Sequence, residues 1–396
     1  MFKMSVGDCF SFIQNGANIK QGEIDGGYPI TRIETISNNR FNRDRMGYAG
    51  ITDITPYRAY VLEDGDILMS HINSVRYLGR AVKYSKHDDE TIIHGMNLLR
   101  LKAIREIVIP DYACLYFSSR HFREQISRIT KKSVNQASFS VADLRRTKML
   151  IASLEEQKQI VALMSRIDGI MQTRKAEYKA LDQLIKARFI ELFGDPYSNP
   201  RNWKQMTFKE ASTRLSDGPF GSNLKSEHYS DTGVRVIRLG NIGVGTFIDD
   251  DKSFIPVEHY EKLKKYTCRS GEIVIGTLGD PNLRACIIPQ DIGIAINKAD
   301  CVHFIPKHDV LNVTFACQYI NCPETLLLAQ GMIHGQTRAR VSSGQIAEMP
   351  IFIPPMNLQN EFASFVSQVD KSKLSIQASL GQLETLKQSL MQKYFG

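Results

Sequence analysis

No run in the sequence approaches the ~20 consecutive apolar residues that a membrane-spanning helix needs. The residues after Met1-Phe2-Lys3-Met4 turn polar from Asp8 onward, without a signal-length apolar core. The expected location is therefore the cytoplasm. The seven cysteines include no Cys-x-x-Cys, and the closest pair is Cys317 and Cys322. Cysteine-built metal sites use tighter pairs, so buried thiols in a reducing compartment are expected. A Gly-Lys-Ser/Thr phosphate loop, a helicase-type motif set and His-Glu-x-x-His are all missing, which removes the commonest nucleotide and zinc chemistries. His303 and His308 lie near Cys301 but are isolated histidines, which are more often structural than metal-binding.

Proline is absent from Leu154 to Asp195 and again after Pro355. In those two stretches apolar residues recur every seven positions. Met164, Met171, Tyr178, Ile185 and Leu192 form one row, and Phe362, Val369, Ile376, Leu383 and Leu390 form its counterpart. Each has a second row beside it, interrupted by Arg174 and Arg188 or by Lys373 and Lys387, which would snorkel or fix the register. Gly169 and Gly381 are the interior glycines, each costing up to ~1 kcal/mol, tolerable in so long a helix. Each helix would reach roughly 60 Å.

The two stretches are copies. Gln157 aligns with Gln359, Asp168 with Asp370, Leu181 with Leu383, and Phe193-Gly194 with Phe395-Gly396, all at a spacing of 202 residues. The segments before them also repeat. Pro29-Ile30-Thr31-Arg32-Ile33 resembles Arg235-Val236-Ile237-Arg238-Leu239, Gly65-Asp66-Ile67-Leu68 resembles Gly271-Glu272-Ile273-Val274, and Asn15-Gly16 has a counterpart in Asp217-Gly218. Short apolar runs at Ile67–Met69, Ile107–Ile109, Ile273–Ile275 and Ile351–Ile353 read as strands, with a helical stretch around Tyr112 to Arg128. The fold expected is α+β: two globular domains separated by two long antiparallel helices forming a coiled coil, with a pseudo-two-fold internal repeat. Its boundaries are 1–153, 154–200 (helix and linker), 201–355 and 356–396. Gly194-Asp195-Pro196-Tyr197 ends the first helix.

The search for chemistry yields no catalytic constellation. Gly194-Asp195-Pro196-Tyr197 lacks a proline of the Asp-Pro-Pro-Tyr methyltransferase motif, and no glycine-rich cofactor loop precedes it; Leu239 to Gly245 lacks nucleotide-fingerprint spacing. Pro110-Asp111 with Glu156-x-Lys158 or Glu177-x-Lys179 has nuclease-like spacing, but the latter pairs fall on long helices. An enzyme of the nuclease or methyltransferase-fragment kind is the alternative; a coiled-coil scaffold is a third.

The net charge is +8 and the pI about 9.0, which favours a polyanionic partner, nucleic acid first. Three polar clusters suit base edges and phosphates. They are Arg40, Asn42 and Arg43; Lys131, Lys132, Asn135 and Gln136; and Gln336, Thr337, Arg338 and Arg340. Arg32, Arg238 and Asn241 lie near the duplicated strands.

Four features together carry a family resemblance. They are Asp217-Gly218-Pro219-Phe220-Gly221-Ser222-Asn223-Leu224-Lys225 with Val234 to Ile242 after it; Gly271-Glu272-Ile273-Val274-Ile275; Ile351-Phe352-Ile353-Pro354-Pro355 leading into Gln359; and the duplication itself. The chain resembles, over essentially its whole length, the specificity subunits of type I restriction-modification systems. The first half departs, with Asn15-Gly16-Ala17-Asn18 and Ile151-Ala152-Ser153-Leu154 at the matching places. The resemblance implies a non-catalytic, double-stranded-DNA-binding protein with two target-recognition domains, each reading half of a split site. It adds Ser222, Asn223 and Lys225 to the DNA-facing set. It also implies docking of two modification subunits and of restriction subunits. S-adenosylmethionine, ATP and Mg²⁺ would act in those partners and none in this chain. Readers held ~34 Å apart would meet one face of the duplex.

Overall fold

The computed structural model describes residues 1–133, 136–330 and 340–396. Two compact units are formed, one from 1–174 with 378–396, the other from 175–377. Among the described residues no helix is long and apolar enough to cross a membrane.

In the first unit the central sheet is antiparallel, in the order Phe10–Asn15, Leu98–Ala103, Ile67–Ser70, Ala81–Lys83. Strand Phe2–Ser5 pairs with Lys148–Ile151. Helices Pro110–Ser118 and Arg120–Ile129 cover the sheet, burying Tyr112, Tyr116 and Phe122. In the second unit Ser212–Ser216, Cys301–Pro306, Ile273–Gly276 and Arg284–Ile287 repeat that sheet in the same order. Gln205–Thr207 pairs with Pro350–Phe352, and helices Val313–Asn321 and Pro323–Gln330 repeat the covering pair. A second sheet here contains one parallel pair, Val234–Ile237 with Ile294–Asn297. The expected α+β architecture with an internal repeat is the one observed.

The two long helices, Leu154–Phe193 and Met356–Phe395, have 40 residues each and start 202 positions apart. The first opens with a reciprocal cap. Glu156 N donates to Ser153 Oγ, while Ser153 N donates to Glu156 Oε2 at 3.0 Å. It stops at Gly194, whose φ of +81° no longer continues a right-handed helix. Within each unit the helix segments run antiparallel. In the first, Lys387 bonds Asp168. In the second, Lys373 bonds Asp182 at 2.7 Å and Arg188 bonds Glu361 at 2.7 Å. The basic residues that interrupt the heptad seam at 188, 373 and 387 are thus held by carboxylates of the facing segment, and only one register brings each pair together.

One expected strand is absent. Ile107–Ile109 forms a turn entering the Pro110 helix. Val108 fills the core, but the backbone groups on either side are satisfied by a side chain, Gln157, rather than by a neighbouring strand.

Candidate nucleic-acid interface

In each unit the first strand of the main sheet runs out into a glycine pressed against a facing loop. A Cβ on Gly16 would lie 2.3 Å from the His94 carbonyl oxygen, and one on Gly218 would lie 2.2 Å from that of Asn297. Any side chain would push the loops apart, which explains the duplicated Asn-Gly and Asp-Gly. The facing loops are braced alike by different residues. His94 Nε2 lies 2.9 Å from the Leu98 carbonyl, and Asn297 Nδ2 donates to the Cys301 carbonyl at 2.5 Å. Burial pushes the His94 pKa down to about 3, so the ring is neutral, and its carbonyl partner requires the proton on Nε2.

In the second unit four loops converge on this point. Asp217 Oδ2 accepts from the Ser343 hydroxyl. Thr277 N donates to Asp300 O, and Val341 N donates to Thr277 O. Arg340 bridges to Leu278 and holds its guanidinium 3.6 Å from Asp300. Ser222, Asn223 and Lys225 are exposed on the segment leaving Gly218. Lys298 N donates to Ile237 O, which places Arg238 next to the same loop. In the first unit Thr31 N donates to Ile93 O and Gly95 N donates to Thr31 Oγ1, placing Arg32 there likewise. Lys131 and Lys132 are exposed on a short strand paired with Ala137–Ser138, and Gln136 is exposed beside it. Asn135, Gln336, Thr337 and Arg338 lie outside the described residues.

Several residues expected to face DNA are instead committed within the fold. Asn241 is fully buried. Its Oδ1 accepts from Arg238 N, and its Nδ2 donates to Ile248 O and Asp251 O, each at 2.9 Å. Arg43 grips Glu90 through Nε (2.8 Å) and Nη2 (2.5 Å), and this pairing holds the Glu90 carboxyl at a pKa of about 2. Asn42 donates to Ser37 O, Ser37 Oγ and Arg40 O. Arg40 is exposed but lines a cleft with Asp111 and Asp168, on the long-helix side of its unit. Arg32 donates to Gln21 Oε1, and Arg238 to Asp251 at 2.9 Å, with both guanidiniums still exposed.

Residues with nuclease-like or metal-like spacing have structural partners. Asp111 pairs with Lys83, Glu156 caps its helix, and His303 pairs with Glu272 at 2.7 Å. No three His, Cys, Asp or Glu side chains among the described residues converge to hold a metal. Burial pushes the thiols up, Cys9 to about 11 and Cys301 to about 12. One organiser was not foreseen. Arg284 donates to the carbonyls of Ile242, Leu278, Pro281 and Leu239, tying two loops of the second unit together. Its position at the start of a duplicated strand, where the first unit has Arg80 just before Ala81–Lys83, is the available signal.

The geometry is that of two similar frames carrying different exposed polar loops. The family model for the type I restriction modification DNA specificity domain matches residues 2–182 and again 223–388. The MjaX type I restriction enzyme specificity subunit of Methanocaldococcus jannaschii is 27% identical over 405 aligned positions, covering 97% of this chain and 90% of that one. The EcoKI specificity subunit of Escherichia coli is 22% identical over 166 positions, 42% of this chain and 35% of that one. A solved chain from a study of complex assembly in a type I system superposes with a TM-score of 0.63 at 15% identity, covering 100% of this chain and 97% of that one. The S subunit from M. genitalium gives 0.53 at 14% identity, covering 100% and 96%.

Proposed function

Because the chain belongs to the type I restriction-modification specificity family, we propose that it reads a bipartite, asymmetric DNA target, one half-site per unit, and itself performs no catalysis. The observation that carries the reading is the duplicated loop frame. Gly16 against His94 and Gly218 against Asn297 hold two equivalent platforms, while the side chains displayed on them differ. Lys131, Lys132 and Gln136 with Arg32 would serve one half-site. Ser222, Asn223, Lys225, Arg238 and Arg340 would serve the other. Lysine and serine suit phosphate oxygens, and arginine, asparagine and glutamine suit base edges.

On this reading the long helices dock modification subunits, which bring S-adenosylmethionine, and restriction subunits, which bring ATP and Mg²⁺. The domains at 1–153 and 201–355 are the two readers. The segments at 154–200 and 356–396 join them and set the gap between half-sites. Methylation mapping of the complex with its modification subunit is the test. Methylation confined to a split motif supports the reading. Methylation at a continuous site, or by this chain alone, would overturn it.

A further inference from the structure

The segment of residues 220–229 carries Ser222, Asn223 and Lys225, and among the described residues no strand pairs with it. Leu224, buried, roots it in the core of the second unit. Two histidines tie it to the next element. His228 ends the short turn Ser226–His228, and His259 lies on the helix Val257–Leu263. Their ring centroids are 4.1 Å apart with the planes at 32°. Lys225 N donates to His228 Nδ1 at 3.1 Å. His259 Nε2 lies 2.9 Å from the Asn223 carbonyl oxygen, to which it must donate. The pair thus grips the backbone of two residues whose side chains are offered to DNA. In the first unit the matching segment is held by backbone alone at this point. Gly22 N donates to Tyr48 O at 3.0 Å, and Gly50 N donates to Lys20 O at 3.1 Å.

The first of these contacts dictates a protonation state. A nitrogen that accepts a hydrogen bond carries no proton, so His228 is neutral with its hydrogen on Nε2. A proton added at Nδ1 turns that acceptor into a donor and breaks the bond from Lys225 N. A charge on each of two stacked rings also makes them repel. The surrounding charges are mostly committed. Glu227 lies 3.9 Å from His228 Nε2 and favours a charged ring, but it is exposed and also faces Lys225 Nζ at 3.5 Å. Glu258 and Lys262 are exposed on the His259 helix. The strand that shares a core with Leu224 brings Arg235, held by Asp249 at 2.6 Å. Arg238, 5.9 Å from the Tyr229 ring, is bonded to Asp251. Imidazole side chains gain their proton between roughly pH 7.5 and 5.5. The grip is whole at the upper end of that range and weakened at the lower.

We propose that His228 and His259 are positioning residues for the second half-site: while neutral they lock Asn223 and Lys225 in place for DNA, and a proton releases them, so that acid weakens reading by the second unit without unfolding it. This rests on the DNA reading given above and adds which residues set it and what undoes it.

The test is DNA affinity and footprinting of the full chain with its modification subunit on the mapped target, at pH 7.5 and 5.5 and constant salt. His228→Asn with His259→Gln keeps an acceptor for Lys225 N and a donor for Asn223 O but has no proton to gain. It should match the wild type at pH 7.5 and bind roughly tenfold tighter than the wild type at pH 5.5. Comparison at one pH cancels every other titration in the complex. The wild type should lose protection at pH 5.5 over the second half-site. His228→Ala with His259→Ala should bind roughly tenfold more weakly than the wild type at pH 7.5, with its unfolding midpoint unchanged. If the Asn and Gln pair impairs folding, His228→Asn alone carries the comparison. Equal pH dependence in the wild type and the non-titrating variant would overturn the proposal. So would tighter wild-type binding in acid, which would make the rings phosphate contacts. In both cases a Lys225→Ala variant that binds more weakly, with a smaller salt slope, leaves the DNA reading standing. A Lys225→Ala variant that changes neither affinity nor slope would count against that reading itself.

Discussion

Gln157 and Gln359, 202 residues apart, make the same three hydrogen bonds. Gln157 Oε1 accepts from Ile109 N at 2.9 Å, and its Nε2 donates to Ile107 O and Ala152 O. Gln359 Oε1 accepts from Asn312 N at 2.8 Å, and its Nε2 donates to Val310 O and Pro354 O. Both are fully buried. Each pins the start of its long helix to the turn that launches the first covering helix of its unit. Alanine at either position would strand three backbone groups away from water. The expected loss is about 2–4 kcal/mol. Hydrogen exchange should show Ile109 or Asn312 losing protection in the corresponding unit alone. Unaltered exchange would mean that the glutamines are incidental.

Gly16→Ala and Gly218→Ala each place a methyl group inside a facing carbonyl. Because the obstruction is backbone, relief requires moving a loop, at about 1–3 kcal/mol. Footprinting should show protection lost over one half-site per variant. Loss over both halves would contradict independent platforms.

Acid should weaken the first unit through its histidines. Burial pushes the pKa of His94 to about 3 and of His71 to about 4, against an ordinary value near 6.5. Below pH 6.5 the unfolded chain binds more protons than the folded one. The full contribution is therefore present above pH 6.5 and is lost as pH falls toward 4. At pH 5 each imidazole accounts for about 2 kcal/mol. His94→Asn, which copies Asn297, should remove about half of that loss in denaturant titrations at pH 7.5 and 5. An unchanged pH profile would rule the ring out as the cause.

Lys373 is 12% exposed, bonded to Asp182 and set 4.9 Å from the Tyr178 ring. Asp182→Asn leaves that ammonium half-stranded and should cost about 1–2 kcal/mol. Lys373→Met completes the apolar seam and should stay within about 1 kcal/mol of the original. Thermal unfolding compares the two, and equal losses would mean that the pair does not set the register.

Lys131 and Lys132 suit phosphates, so replacing both with alanine should reduce the slope of log K against log salt by about 2. Sequence preference should hold. A changed motif with an unchanged slope would place them on bases instead.

Much of this fold is legible in the sequence. The proline-free heptads announced two helices, and the constant spacing announced the copy, because periodicity and repetition are local properties of a string. What escaped depended on distant partners. Arg43 is spent on Glu90, 47 residues on, and Asn241 on carbonyls that only the folded loop brings near. Ile107–Ile109 looked like a strand because apolarity was visible and Gln157's side chain was not yet beside it. Lys131 and Lys132 stay exposed on their short strand. Arginines and asparagines, with several donors to satisfy, were more often claimed by the fold.

At matching places in the two central sheets, Arg100 is buried against Asp66 at 2.7 Å, and His303 against Glu272 at 2.7 Å. The two solutions do not mix. An exchange that delivered one partner without the other would leave Arg100 with the exposed Glu63 and the Ala59 carbonyl alone, or His303 without its carboxylate. A chimera that keeps each strand pair whole should therefore be more stable than one that divides it. Junctions between shuffled halves belong where neither pair is divided, in the long helices and their margins. The two ion pairs thus act as a grammar for joining halves of such chains, each half carrying its own matched partners.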